Sequence, residues 1–264
     1  MSSLGLPAVN AVGIGAPFRW LAGGWADLQK APWPCLAYGL ALAAASLAGS
    51  ALFVAFNGAF WVLALSCGFV FIAPMLAMGL YEAGRLIERG ERPTLARMLF
   101  VREAVRQDVV YLGLALLMIY LLWGRVAQVV YGLSTYSFHD TVEGFVRFAL
   151  TTAEGHNMLA TGTIIGGAMA FFTYSLVVVT APMLLDRGTN VWMAVATSFR
   201  AVAKNPGAML LWAALIVAFL LASAATAFVG LIVVFPWLGL ASWRAYRDLV
   251  AEAPARAEIG LSAT

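Results

Sequence analysis

The sequence predicts an all-α protein that crosses a membrane several times. Two uncharged stretches carry this. No Asp, Glu, Lys or Arg occurs between Lys30 and Glu82, and none between Lys204 and Arg244. A helix rises about 1.5 Å per residue and the hydrocarbon core is about 30 Å thick, so about 20 apolar residues cross it once. Each stretch is about twice that long or more and must cross, turn and return. Composition agrees: 62% of the 264 residues are hydrophobic and 11% are charged, against about 25% charged in a soluble domain. One membrane domain, residues 17–248, fills the chain between flexible tails at 1–16 and 249–264.

Six spans follow in order. The first runs from about Pro34 to Phe56 and the second from Phe60 to Tyr81, with Asn57-Gly58 as the turn. The third is Val109–Val130 and the fourth Leu159–Leu185. The fifth is Gly207 to about Phe228, and the sixth about Val229 to Trp243. The last two are short, near the lower limit of about 17 residues. Met1 to Ala16 is small and apolar without a basic leader, so it reads as a cytoplasmic tail rather than a signal peptide.

Orientation follows from the cations. All of the 16 Lys and Arg residues except Arg125 and Arg147 fall on one side of this six-span arrangement. The positive-inside rule places that side, and both termini, in the cytoplasm. The net charge of +3 therefore reports topology, not a nucleic-acid partner. The opposite face has one substantial loop, about Tyr131 to Met158. It holds His139 and His156 with Asp140, Glu143 and Glu154, in a spacing that matches no zinc pattern. Cys35 and Cys67 are expected at different depths, which argues against a disulfide.

An internal repeat organises the spans. Trp25, Lys30 and Pro32 share the spacing aromatic-x4-Lys-x-Pro with Phe199, Lys204 and Pro206. The apolar residues before each also coincide: Phe18, Leu21, Trp25 and Leu28 against Trp192, Val195, Phe199 and Val202. That spacing is one face of an amphipathic helix, expected to lie on the cytoplasmic leaflet. Trp20, Trp25, Trp192, Phe199, Lys30 and Lys204 are its expected interfacial anchors. Pro74, Pro182 and Pro236 recur in the inner halves of spans two, four and six, so the spans read as three repeated hairpins. These prolines kink their helices and either shape the bundle or line a cavity open to the cytoplasm. Gly162 and Gly166 form a GxxxG pair suited to close helix approach. Glu82, Arg85, Asp108, Asp186, Arg187 and Arg244 fall near inner helix ends and are expected to form a ring of ion pairs beneath the bundle.

Three segments carry a family resemblance: Gly24–Leu28, the run from Ala73-Pro-Met-Leu to Glu88-Arg-Gly90, and Ala181-Pro-Met-Leu-Leu-Asp186 through to Ala203-Lys-Asn-Pro206. Over about Phe18 to Asp248 the chain resembles a family of bacterial integral membrane proteins known as domain of unknown function 2189. The resemblance implies six helices and a bacterial inner membrane, with no established activity. A label linking some members to cytochrome c oxidase points toward a respiratory setting.

The chain's own chemistry narrows this. A haem-copper subunit needs several intramembrane histidines; this chain has two, both near the outer loop. Ion-coupled transport places ionisable groups near the midplane; the closest here is Arg125, with Gln128 beside it, positioned to reach outward. No Walker loop, dinucleotide fingerprint, GxSxG elbow or HExxH occurs. The expectation is a non-catalytic protein with no cofactor, no metal and no nucleic-acid partner, bound in the lipid bilayer. The expected function is an accessory or assembly component of a larger inner-membrane complex, beside other membrane-protein subunits in a respiratory setting; the alternative is a transporter or binding protein for a lipid or small apolar molecule. A filled bundle favours the first, and a wide internal cavity favours the second.

Overall fold

A computed structural model of the protein describes residues 6–55, 59–135 and 141–251, without the side chains of 53–55, 59–67 and 142. The expected Asn57-Gly58 turn, His139, Asp140, Arg256, the Cys67 side chain and the tail from 252 onward lie outside these. The described chain is helical. Helix α1 is Ala16–Lys30, α2 Pro32–Ala55, α3 Ala59–Leu76, α4 Met78–Glu88, α5 Leu95–Leu99 and α6 Gln107–Ser134. Then come α7 Val142–Thr151, α8 Ala153–Val177, α9 Thr180–Arg187, α10 Val191–Lys204, α11 Pro206–Ala225 and α12 Leu231–Leu249.

Five stretches are long and apolar enough to cross a membrane: Pro32–Leu52, Gly68–Glu88, Gln107–Ser134, Ala153–Arg187 and Pro206–Ala225. The sixth expected span falls in α12, which is not among them. Its uncharged part runs only from Leu231 to Trp243, and Arg244, Arg247 and Asp248 occupy its last turns.

Helix α12 is nevertheless the centre of the molecule. It packs against α1, α2, α4 and α11, and Phe235, Leu238, Leu240, Trp243 and Tyr246 are all buried along it. Glycines let its neighbours come this close. A Cβ on Gly24 of α1 would lie 2.6 Å from the Ala241 backbone nitrogen. A Cβ on Gly39 of α2 would overlap the Ile232 carbonyl oxygen. That carbonyl is the one Pro236 leaves without its helical N–H partner.

Two of the long stretches are broken, and a hydroxyl from another helix closes each break. Between α3 and α4 the Leu80 amide turns to the Ala77 carbonyl. The Leu76 carbonyl then accepts from the Tyr38 hydroxyl of α2 at 2.7 Å. Between α8 and α9, Ser198 of α10 is inserted into one rung. Its hydroxyl donates to the Ser175 carbonyl at 2.7 Å and accepts from the Val179 amide at 3.2 Å. In an unbroken helix those two groups would bond each other. Ser198→Ala strands both in a fully buried site, and is expected to cost about 1–3 kcal/mol. A thermal melt in one detergent measures this; an unchanged midpoint would show that the helix recloses by itself.

Most of the filled core lies at the arginine-rich end. Leu80, Leu86, Leu184, Leu185, Trp212, Trp243 and Tyr246 are almost wholly buried there. The N-terminal segment is tied into the same end. Val9 pairs with Val250 in an antiparallel bridge, and Asn10 N–H donates to the Leu249 carbonyl at 2.8 Å. Asn205, 4% exposed, accepts from Val12 N–H at 2.8 Å and donates to the Asn10 carbonyl at 3.0 Å. The expected loose tail up to Ala16 is thus corrected: residues 8–12 are fastened between the ends of α10 and α12.

Candidate functional site

The far half of the bundle is not filled. Helices α2, α3, α6, α8, α11 and α12 part there around a cavity of about 620 Å³. Aromatic and aliphatic side chains make its walls, among them Phe69, Phe71, Trp123, Phe145, Met158, Leu220 and Phe228. Among the described residues, its side-chain polar groups are the hydroxyls of Ser46, Ser50, Tyr131 and Thr163 and the Trp123 indole, and no charged residue lines it. The size is in the range of small-molecule pockets, and so is the balance of many apolar groups with few polar ones.

Small residues create the space. Gly49, Gly162, Gly166 and Gly167 all line it. A Cβ on Gly49 or Gly167 would meet nothing within 4 Å, and one on Gly162 would just reach Val130 at 4.0 Å. Gly166 differs, because its Cβ would lie 2.8 Å from the Trp123 ring. The GxxxG pair therefore divides its work: Gly166 seats α8 against α6, and Gly162 leaves volume empty.

At its far end the cavity meets α7. Phe145 of α7, 3% exposed, lies 5.6 Å from Tyr131 of α6, centroid to centroid, and Met158 of α8 joins the same cluster. Thr141 and Thr152 cap α7 and α8, accepting from Gly144 and Gly155 amides. The strip Phe145, Phe148 and Ala149 turns inward, and Val146 is exposed.

The prolines do not form one cavity open to the arginine-rich end. Pro74 borders a second, smaller space of about 100 Å³ with Tyr81, Tyr174 and Phe235. Val70, Ala170 and Leu220 line both spaces, so the smaller continues the larger inward. Pro182 and Pro236 are buried in the core and are not part of either wall.

The expected charge ring resolves into separate ties. Arg244 grips Asp27 with two hydrogen bonds, 2.6 and 2.7 Å long, and Lys30 reaches the same carboxylate at 2.9 Å. Arg85 lies 2.6 Å from Glu82 and 3.0 Å from Glu103. Asp186 accepts from the Tyr246 hydroxyl at 2.6 Å, and Arg187 donates to that hydroxyl at 2.9 Å and to the Ala251 carbonyl at 2.7 Å. Asp108 stands alone, accepting from Val191 N–H at the start of α10 at 2.8 Å. Burial by itself pushes the Asp27 carboxyl up, but hydrogen bonds from Arg244 and Lys30 outweigh it and hold the group below its usual range. Such ties hold the chain together at this end.

Asp27, Glu103 and Tyr246 belong to these ties, Arg247 adds another by donating to Glu88 at 3.0 Å and Asp186 at 3.4 Å, and none of these five was predicted. Asp27 carried a signal, as the only acid in α1, three residues before Lys30. The anchors also divide. Trp25 and Trp192 are exposed, at 42% and 78%, but Trp20 is buried and donates its indole N–H to Asp248 at 2.9 Å. Phe199 is half-buried against Phe172, and Lys204 donates to the Val9 carbonyl at 2.6 Å. Trp20 fails as an anchor because it lies on the α12 side of α1, one position off the predicted face. Arg125 is exposed and bonds Gln128 at 3.2 Å. Among the described residues, no three His, Cys, Asp or Glu side chains are grouped to hold a metal ion.

Long apolar helices around an apolar cavity, with most of their ion pairs gathered at one end, define an integral, multi-pass membrane protein. Residues 61–186 match the family described as "Predicted integral membrane protein (DUF2189)". That segment is similar to this family, and the match is narrower than the resemblance from Phe18 to Asp248. No curated protein and no solved structure matches the chain.

Proposed function

We propose that this protein binds an apolar or weakly polar molecule, such as a lipid or another bilayer-soluble compound, in the far-half cavity. The carrying observation is the cavity of about 620 Å³, lined among the described residues by apolar groups with a few hydroxyls and one indole as its polar side-chain groups. A backbone outlier supports it. Ala227 and Phe228 have φ of 50° and 66° without being glycines, and Phe228 is held in that costly conformation where it lines the cavity. The role is binding or transfer, with no catalytic step. A filled bundle would have favoured the accessory-subunit reading, and the interior is not filled.

The proposed topology is six crossings in three hairpins, in an inner membrane, with both termini cytoplasmic. Two arguments support it. The Val9–Val250 pairing holds both ends of the described chain on one side, so the number of crossings is even. Helix α12 supplies the sixth: at 19 residues it is about 28 Å long, and its burial among four helices lowers its need for lipid-facing apolar surface. The repeat is supported by α1–α2 and α10–α11, where a single residue separates a helix ending in Lys from one starting in Pro. Exposed Phe18, Trp25, Trp33 and Trp192 would then sit at the cytoplasmic interface.

Native mass spectrometry of gently solubilised protein tests the binding. The wild type is expected to carry a stoichiometric small molecule, and Gly162→Leu, which fills open space, is expected to lose it without losing stability. Wild-type protein that is empty, or that arrives only with a stoichiometric partner protein, overturns the proposal.

A further inference from the structure

Resting on that cavity reading, we infer that the occupant is an acyl chain of a bilayer lipid, which enters sideways between α8 and α11. These helices are joined at the arginine-rich end, where the Tyr174 hydroxyl donates to the Met209 carbonyl at 2.9 Å. Toward the far end they separate. Val217 and Leu221 of α11 line the cavity and are also 46% and 64% exposed. Across from them Thr163 and Gly167 of α8 line it and are exposed as well. Side chains that border an interior space and the outside at once mark a doorway.

The other ends are walled among the described residues. Phe145, Tyr131 and Met158 stand at the far end, and the filled core around Trp212 and Leu184 stands at the other. Outside the doorway the helix flanks are apolar: Ile164, Phe172 and Leu210 are all more than half exposed. Hydrocarbon is therefore what meets the opening. The buried length of the occupant must be uncharged, since no charged group among the described residues lines the cavity. An acyl chain meets this condition while its headgroup stays at the bilayer surface.

Trp123, which lines the cavity, provides the test. The protein is reconstituted into phosphatidylcholine vesicles containing a phospholipid dibrominated at mid-chain, which quenches indoles it touches. The Trp123 signal is the difference between wild type and Trp123→Phe. Quenching of that signal in the wild type is expected, with a several-fold loss in the doorway variant Gly167→Phe/Val217→Phe. Gly167→Leu alone serves if the double variant does not fold. Equal quenching in a folded doorway variant overturns the lateral route and leaves the cavity reading intact. An unquenched wild-type Trp123 overturns the acyl chain as occupant. A co-purifying molecule that is not a lipid would then still uphold the cavity, and an empty protein would sink both.

Discussion

Gly39→Ala is expected to cost about 3 kcal/mol, the upper end for overfilling a well-packed site. One methyl group there overlaps the Ile232 carbonyl oxygen. Backbone cannot rotate away as a side chain can, so α2 must lift off α12. The same exchange at Gly49, ten residues on in the same helix, meets nothing within 4 Å. It is expected to gain roughly 0.5–1 kcal/mol from helix propensity alone. Thermal melts of the two alanine variants in one detergent decide the matter. Similar midpoints would mean that α2 does not touch α12 as described.

The second large effect is at Asp27. It is 1% exposed and takes hydrogen bonds from Arg244 and Lys30. Asp27→Asn removes the charge that both cations answer. Breaking a buried pair costs about 3–5 kcal/mol, but the Arg244 side chain is 43% exposed and water compensates part of this. About 2 kcal/mol is the expectation. The pH dependence has a definite sign. The folded-state carboxyl sits below its ordinary value of 3.8, so its stabilisation is complete above that value and is lost as pH falls through the lower folded one. Melting midpoints from pH 6 down to about 3 should fall more steeply for wild type than for Asp27→Asn. Parallel curves would remove Asp27 from the acid response.

Much of the helix layout was legible because lipid imposes a simple rule: long uncharged stretches between clustered arginines. The starts of α2 and α11 were readable within two residues, since Pro32 and Pro206 open them. The prolines were legible as sites of irregular helix but not as cavity walls. A kink shows in sequence, whereas the direction in which it opens space depends on which neighbour lies there. Gly162 and Gly166 make the same point. They look identical in the sequence, and only the position of Trp123 separates a contact from a void. The inner charges were found as a group and misread as a ring, because pairing depends on which helix crosses α12. Ser198 and Tyr38 carried no signal; their importance comes from broken rungs in distant helices.

The contrast between a cross-tied end and a parted end has a mechanical meaning. Tension or thinning in the bilayer acts on all the helices, and the cross-tied end is expected to resist it more than the parted halves of α8 and α11. With the Tyr174–Met209 contact as its fixed point, the proposed doorway is expected to change width when the membrane is stretched. Occupancy should then follow the thickness of the host bilayer, rising or falling between short-chain and long-chain phosphatidylcholine while the arginine-rich end keeps its melting behaviour.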